Sequence, residues 1–157
     1  MNKTKYISTS AIIGALYIVL TMVSNALGLA SGAVQIRISE ALCILPVFTP
    51  AAVPGLFAGC IISNIIAGGN IFDIIFGSLA TLIGAIGTLK LKNHKYLALI
   101  PPIVSNTIIV PIILCYAYGI NQALYFVMFT VGIGEVISCG VLGMVLLKAM
   151  EKYKFKA

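Results

Sequence analysis

The chain has 157 residues, of which 61% are hydrophobic and only 9% are charged. A soluble domain of this size carries roughly a quarter charged residues. The chain therefore has too little polar surface to face water, and we expect lipid to cover it. We predict one membrane-embedded domain over 1–157. Its first apolar run lacks a clear small-residue cleavage site, so we interpret that run as a retained transmembrane helix rather than a signal peptide.

The formal net charge of +6 comes from basic residues that flank apolar runs. Nine of the ten lie in three clusters: Lys3 and Lys5; Lys90, Lys92 and Lys95; and Lys148, Lys152, Lys154 and Lys156. Cytoplasmic loops of membrane proteins carry such an excess of lysine and arginine. This pattern argues against nucleic-acid binding. It predicts that both termini are cytoplasmic and that an even number of spans separates each pair of clusters.

In chain order, the apolar runs predict six helices, at about 7–29, 40–49, 52–68, 71–89, 97–118 and 122–147. The stretch 40–68 decides this count, because reading it as a single helix would place the 90–95 lysines outside. Three prolines within 46–54 favour a break, since each removes a backbone donor and disfavours helix just before it. We therefore predict an all-α bundle of six transmembrane helices, with segment 28–39 as an outer lid.

The second helix is expected to be too short for a hydrocarbon core of roughly 30 Å. A short helix at that depth is tolerated where it is buried in protein or lines a cavity. Ionisable groups inside a membrane are costly and are by default candidate functional residues. In the predicted outer and middle zones these polar candidates are Arg37, Glu40, Asn64, Asp73, Asn106, Tyr116 and Glu135. Together they predict a polar pocket open to the outside.

Several of these residues also have purely structural explanations. Asp73 can be the first-turn acid of a helix capped by Asn70. Arg37 can pair with Glu40, which lies three residues further on. The outer tyrosines can belong to an interfacial aromatic belt. Glu135 has no comparable explanation, since Gly132 and Gly134 precede it and no membrane interface is near.

Small residues on the predicted first and third helices suggest close helix–helix contacts. Ala11 and Ala15 share one face, with Gly14 beside them, and Gly55 and Gly59 are spaced in the same way. Such pairs serve either a partner helix or packing within the bundle, and we favour internal packing for Gly55 and Gly59.

Motifs for energy use and catalysis are missing from the sequence. It has no G-x-x-x-x-G-K-[ST] phosphate loop, so active uptake would require partner chains. One histidine and four dispersed cysteines do not form a metal-binding or disulfide pattern. We expect no metal, no cofactor and no enzymatic activity.

Two segments carry a resemblance to a known family. Residues 34–42 (VQIRISEAL), the proline-rich stretch after them, and residues 70–78 (NIFDIIFGS) resemble the QueT family. Its members are substrate-binding S components of energy-coupling-factor (ECF) importers for queuosine precursors. The resemblance implies a six-helix protein of a bacterial-type plasma membrane that works with a transmembrane coupling subunit and two ATPase subunits. It also implies that Ala11 and Ala15, which match the AxxxA motif of S components, contact the coupling subunit together with the adjacent Gly14.

The implied ligand is a 7-deazapurine such as queuine, preQ1 or queuosine. A carboxylate accepts the two adjacent N–H donors of a 7-deazaguanine edge, and our order of candidates is Glu135, Asp73 and Glu40. Asn64 or Asn106 could bind the ring carbonyl, Phe72 or Tyr116 could stack on the ring, and Arg37 could anchor an acidic ligand. Two alternatives stay open, namely an S component for another vitamin or heterocycle and a stand-alone ion-coupled carrier with Glu135 as relay.

Overall fold

The computed structural model describes residues 2–30, 34–119 and 122–153. Within these ranges the chain forms helices and no strands. The helices are α1 (Lys3–Ala26), α2 (Ile38–Val47), α3 (Ala52–Ile66), α4 (Asp73–Lys90), α5 (Leu97–Tyr116) and α6 (Leu124–Lys152). The predicted all-α class and the six helices are confirmed, with boundaries shifted by a few residues. The break within 40–68 is also confirmed, because residues 48–51 form a turn between α2 and α3.

Helix lengths modify the expectation of six full spans. Across the described residues, α1, α4, α5 and α6 are the helices long and apolar enough to cross a membrane. Helix α2 has 10 residues and α3 has 15, which correspond to about 20 Å and about 22 Å of helix. The chain is thus a multi-pass membrane protein in which a short helix pair packs among longer helices.

Helix α2 is a 3-10 helix whose residues 39–46 are all buried in the bundle. Pro46 lies inside it and supplies no backbone donor, which disfavours regular α-helix there. Side chains three residues apart line up along a 3-10 helix. Glu40 and Cys43 therefore lie side by side, and the Cys43 thiol is 3.1 Å from the Glu40 carboxylate.

Two side chains of α1 hold the start of α2 in place. The Thr21 hydroxyl donates to Ser39 Oγ at 2.8 Å, and the Ile38 backbone N–H donates to Ser24 Oγ at 2.9 Å. The entry to α2 is thereby anchored inside the bundle. This explains why Glu40 lies in the protein interior. Its expected location towards the outer side of the membrane stays a prediction.

Glycines bring α1 and α3 into contact. A Cβ on Gly14 would lie 3.1 Å from the Gly55 carbonyl oxygen, and a Cβ on Gly59 would lie 2.9 Å from the Gly14 carbonyl oxygen. Internal packing of Gly55 and Gly59 is therefore confirmed. The expectation that Gly14 lies on a docking face is wrong, because Gly14 is buried against α3. Ala11 and Ala15 point away from α3 and are exposed.

Contacts gather the chain's basic segments at one end of the bundle. Lys95 Nζ lies 2.5 Å from Glu151 near the end of α6, and 6.0 Å from the centre of the Phe48 ring in the α2–α3 turn. The Ser10 hydroxyl donates to the Ala51 carbonyl oxygen at 2.7 Å, which brings the start of α1 to the same turn. We call this end, with the described lysines 3, 5, 90, 92, 95, 148 and 152, the basic end. Its cytoplasmic location stays a prediction.

Candidate functional site

A small polar cavity lies at the centre of the bundle, and we call it the inner chamber. Its volume is about 20 Å³, which is room for about one water molecule. It is lined by Gln35, Arg37, Glu40, Gly77, Thr81, Asn106, Val110, Val131 and Glu135. The structure thus brings together four predicted site residues from α5, α6, α2 and the segment before α2.

Glu40 is almost fully buried, with 2% of its surface exposed, and has three hydrogen-bond donors around it. Its Oε1 accepts from the Tyr17 hydroxyl at 2.5 Å. Its Oε2 accepts from the Cys43 thiol at 3.1 Å and from Asn106 Nδ2 at 3.4 Å. A buried carboxylate is tolerated when donors replace its hydration. The protein itself therefore satisfies Glu40 and leaves it little capacity for a ligand.

Glu135 is buried to a similar degree, but its carboxylate is incompletely satisfied. About 9% of the residue is exposed, and its buried Oε2 has no hydrogen-bond partner among the described residues. Leaving a buried polar atom unpaired costs about 1–3 kcal/mol, and more if it is charged. Glu135 thus offers the inner chamber a free acceptor. It immediately precedes a π-helical stretch of α6, Val136–Leu142.

The segment 34–37 forms one wall of the inner chamber, between α1 and α6. Its backbone approaches Gly134 so closely that a Cβ on that glycine would overlap the Gln35 carbonyl oxygen. The Arg37 backbone N–H also donates to Ser138 Oγ at 3.1 Å. Gly134 therefore makes room for the segment. The rest of the predicted lid includes 31–33, which lie outside the described residues, and its role as a lid stays a prediction.

Arg37 lines both cavities, and its guanidinium carries a permanent charge. The Arg37–Glu40 ion pair that we considered is not formed. In the part of the chain that the structure describes, Lys95 and Glu151 are the only oppositely charged side chains within 4 Å of each other. Arg37 is therefore available to an acceptor in either cavity.

A larger cavity adjoins the inner chamber, and we call it the outer cavity. It has a volume of about 690 Å³, within the usual range of small-molecule sites. Its lining is Thr21, Asn25, Ala30, Gln35, Arg37, Asn64, Ala67, Gly68, Gly69, Asp73, Val110, Leu114 and Tyr118. Three of these residues also line the inner chamber, namely Gln35, Arg37 and Val110, so the two compartments are neighbours.

The start of α4 positions Asp73 on the outer cavity. The Asn70 side chain accepts from the Phe72 backbone N–H at 3.1 Å, which confirms the predicted cap. Asn64 Nδ2 donates to the Asp73 backbone carbonyl at 3.3 Å, and the Asn70 N–H donates to the Tyr118 hydroxyl at 2.8 Å. Asp73 begins a π-helical turn, Asp73–Gly77, and such turns are frequent at functional sites.

Phe72 and Tyr116 do not line either polar cavity, so the expectation that they stack on a ligand there is wrong. They line a separate apolar groove of about 350 Å³ on the surface of α4 and α5. Phe72 is 51% exposed and Tyr116 is 81% exposed. Successive α-helical residues are rotated by about 100°, so placing Asp73 on the cavity turns Phe72 away. Tyr118 is the outer tyrosine that does line the outer cavity.

The candidate list also missed Tyr17, Gln35, Thr21 and Thr81. Tyr17 had a usable signal, because a tyrosine in the middle of a membrane helix needs a partner for its hydroxyl. For Gln35 and the two threonines, no signal in the sequence separates them from ordinary helix or loop residues.

Fold and site together define a multi-pass helical membrane protein with polar cavities between its helices. Comparison with known proteins identifies the group to which it belongs. The sequence profile of a family described as QueT transporter matches residues 7–152. The chain therefore belongs to the QueT family, as its resemblance indicated.

One curated relative is the Queuosine precursor transporter QueT of Lactococcus lactis subsp. cremoris (strain MG1363). It is 37% identical over 95 residues, which cover 60% of this chain and 56% of the relative. The match thus spans little more than half the length of the relative. No solved structure matches the chain.

Proposed function

We propose that this protein is the substrate-binding S component of an ECF-type, ATP-driven importer. It binds a queuosine precursor or a related 7-deazapurine (queuine, preQ1 or queuosine) from outside and delivers it inward together with a coupling subunit and two ATPase subunits. The observation that carries the proposal is the free Oε2 of Glu135 in the inner chamber, next to a cavity of ligand size.

The two neighbouring carboxylates have different roles in this proposal. Glu40 is occupied by donors from the protein, whereas Glu135 has an acceptor atom without a partner. A 7-deazaguanine presents adjacent N–H donors that a carboxylate can accept as a pair. We therefore assign the base edge to Glu135 and a positioning role to Glu40.

The two compartments also differ in what they can hold. The outer cavity accommodates a bicyclic ring, while the inner chamber has room for about one water molecule. Contact between a ring and Glu135 therefore requires movement of the wall that Gln35 and Arg37 form between the compartments. Asp73 in the outer cavity supplies a second acid for a cationic aminomethyl substituent, and Asn64 or Asn106 supplies an amide for the ring carbonyl.

The exposed face of α1 supports the proposed contact with a coupling subunit. Ala11 and Ala15 are exposed on one helix face, and small residues allow another helix to approach closely. Exposed Ile12 and Leu16 extend that face. We propose that this face contacts the coupling subunit. Gly14 is buried and takes no part in that contact.

Ligand titration of the purified protein tests the substrate assignment. Queuine, preQ1 and queuosine are titrated by calorimetry, with adenine as a base that lacks the guanine-type donor pair. Glu135→Gln should weaken binding strongly, whereas Glu151→Gln, at the basic end, should leave it unchanged. If the wild type binds none of the three compounds, the substrate assignment is refuted. If it binds another vitamin instead, the S-component alternative with a different ligand is supported.

A reconstitution experiment separates an importer subunit from a stand-alone carrier. Vesicles containing this chain alone should not accumulate ligand, and adding the coupling subunit, the ATPases and ATP should restore uptake. Substituting Ala11 and Ala15 with leucine should leave ligand binding intact and reduce uptake by the complex. Uptake by the chain alone, driven by an ion gradient, would refute the S-component role and favour the carrier.

A further inference from the structure

A long furrow runs along the lipid-facing surface between α4 and α5. Its larger part has a volume of about 760 Å³ and begins at the basic end. Its lining is almost entirely apolar: Ile83, Ile86, Gly87, Lys90, Leu91, Leu97, Ile100, Pro101, Val104, Ser105, Ile108 and Ile109. We call this part the basic half of the furrow.

Close contact of the two helix backbones forms the floor of the furrow. A Cβ on Gly84 would lie 2.6 Å from Pro102 Cα, and a Cβ on Gly87 would meet the Pro101 ring. The helices therefore touch where glycine faces proline. Ile83 and Val104, which are about half exposed, rise on either side of this line. The result is a groove with apolar walls, open to the bilayer.

The length of the basic half matches one bilayer leaflet. From Leu97 to Ile109 the α5 side covers about 18 Å at 1.5 Å per residue. Half of a hydrocarbon core of about 30 Å is about 15 Å. The furrow continues beyond Ile109 into the smaller groove of Phe72 and Tyr116, which we call the far half.

Charge distinguishes the two halves. Lys90 lines the basic half, whereas the lining of the far half contains no charged residue. Within the described ranges, Lys90 has no carboxylate within 4 Å, in contrast to Lys95, which pairs with Glu151. The hydrocarbon stem of a lysine can follow an apolar surface while its ammonium group stays at the interface. The ammonium of Lys90 is therefore free to meet an anion at headgroup depth.

We propose that the basic half of the furrow binds an anionic phospholipid, with an acyl chain along the groove and its phosphate at Lys90. Any lipid-facing groove at this depth contains acyl chains. The proposed selectivity therefore lies in the charge of the lipid headgroup. Basic residues at such positions favour anionic lipids. This site lies on α4 and α5, away from both polar cavities and from the exposed face of α1, and it does not depend on the proposed ligand.

Lipid binding can be measured on the purified protein in nanodiscs. Discs of phosphatidylcholine that contain a minor fraction of phosphatidylglycerol are used, and the lipids retained after transfer to mild detergent are measured by native mass spectrometry. The wild type should be enriched several-fold in phosphatidylglycerol. Lys90→Gln should abolish the enrichment. Lys152→Gln, an exposed lysine at the same end, should retain it.

A second pair of variants tests the groove itself. Val104→Trp fills the basic half, whereas Ile112→Trp fills the far half; both side chains are partly exposed to lipid. Only Val104→Trp should reduce retained phosphatidylglycerol. Circular dichroism and gel filtration confirm that each variant is folded.

Three results would overturn the proposal: no enrichment in the wild type, equal loss in the two lysine variants, or loss in Ile112→Trp alone. Displacement of the lipid by a co-purified transmembrane protein that protects a Val104→Cys variant from thiol labelling at position 104 would overturn it as well, and would identify the furrow as a protein-binding surface.

Discussion

Replacing each buried glutamate by glutamine should separate stability from ligand binding. In Glu40→Gln, one oxygen can still accept from Tyr17, but the new amide group faces two donors, the Cys43 thiol and the Asn106 amide. Hydrogen bonds to charged groups contribute about 1.5–3 kcal/mol each, and the thiol is a weak donor. We therefore expect a loss of about 3 kcal/mol, which for a chain of this size lowers Tm by roughly 6–12 °C.

Glu135→Gln should behave in the opposite way. The Oε2 that it replaces has no partner in the described structure, so burying a neutral amide there should leave Tm unchanged or raise it. Ligand affinity should nevertheless fall by about 10- to 150-fold, the equivalent of one charge-assisted hydrogen bond of about 1.5–3 kcal/mol. Glu151→Gln is the control for removal of an acid outside the site.

Thermal unfolding can be followed with a thiol-reactive dye. The chain has no tryptophan, but Cys43, Cys60 and Cys139 are buried in the folded state and become reactive on unfolding. Calorimetry gives the affinity of each variant. The reasoning is refuted if Glu135→Gln lowers Tm as much as Glu40→Gln, or if Glu40→Gln is as stable as the wild type and Glu135→Gln binds ligand normally.

Three further substitutions test single contacts, each by dye-monitored Tm together with calorimetric affinity. Tyr17→Phe removes the donor to Glu40 Oε1 and should lower the free energy of unfolding by about 1–3 kcal/mol. In the double variant with Glu40→Gln, the loss should be smaller than the sum of the two single losses. A loss equal to that sum would contradict the contact. Gly134→Ala places a methyl group against the Gln35 carbonyl oxygen and should lower both Tm and affinity, by about 1–3 kcal/mol in stability. Gly132→Ala, whose Cβ would lie 3.3 Å from a Thr107 methyl, is the matched control, and equal effects of the two would refute the role of Gly134. Tyr118→Phe should weaken ligand binding whereas Tyr116→Phe should not. The reverse result would show that Tyr116, and not Tyr118, contacts the ligand.

Hydrophobic runs and prolines predicted the architecture because they act locally. The prolines at 46–54 interrupt hydrogen bonding wherever the chain goes, so the division of 40–68 into two helices could be read from the sequence. Helix type could not be read in the same way. Helix α2 is buried among all five other helices, and its 3-10 geometry places Glu40 beside Cys43.

Site residues were predictable as a set but not in their roles. The cost of burying charge in a membrane identified Glu40, Asp73 and Glu135 as unusual. Sequence alone gave no means of knowing that one of them is satisfied by a tyrosine of α1 while another keeps a free oxygen. The direction of each aromatic side chain was equally undetermined, since a shift of one helical residue decides between cavity and lipid. Phe72 and Tyr116 were misplaced for that reason.

Three irregular helical segments of this protein adjoin the polar cavities, whereas a fourth, the short 3-10 turn Leu97–Leu99, lies at the basic end. Helix α2 is a 3-10 helix that carries Glu40, one π-helical turn begins at Asp73, and the other follows Glu135 directly. Departures from regular α-helix are costly in a bilayer and are tolerated where they are buried in protein or line a cavity. Each acid at the two cavities lies in or beside such a departure, whereas Glu151 lies in regular helix at the basic end. Packing alone would not require the irregular segments to coincide with the acids. Their coincidence favours a site shaped for a ligand over three unrelated acids.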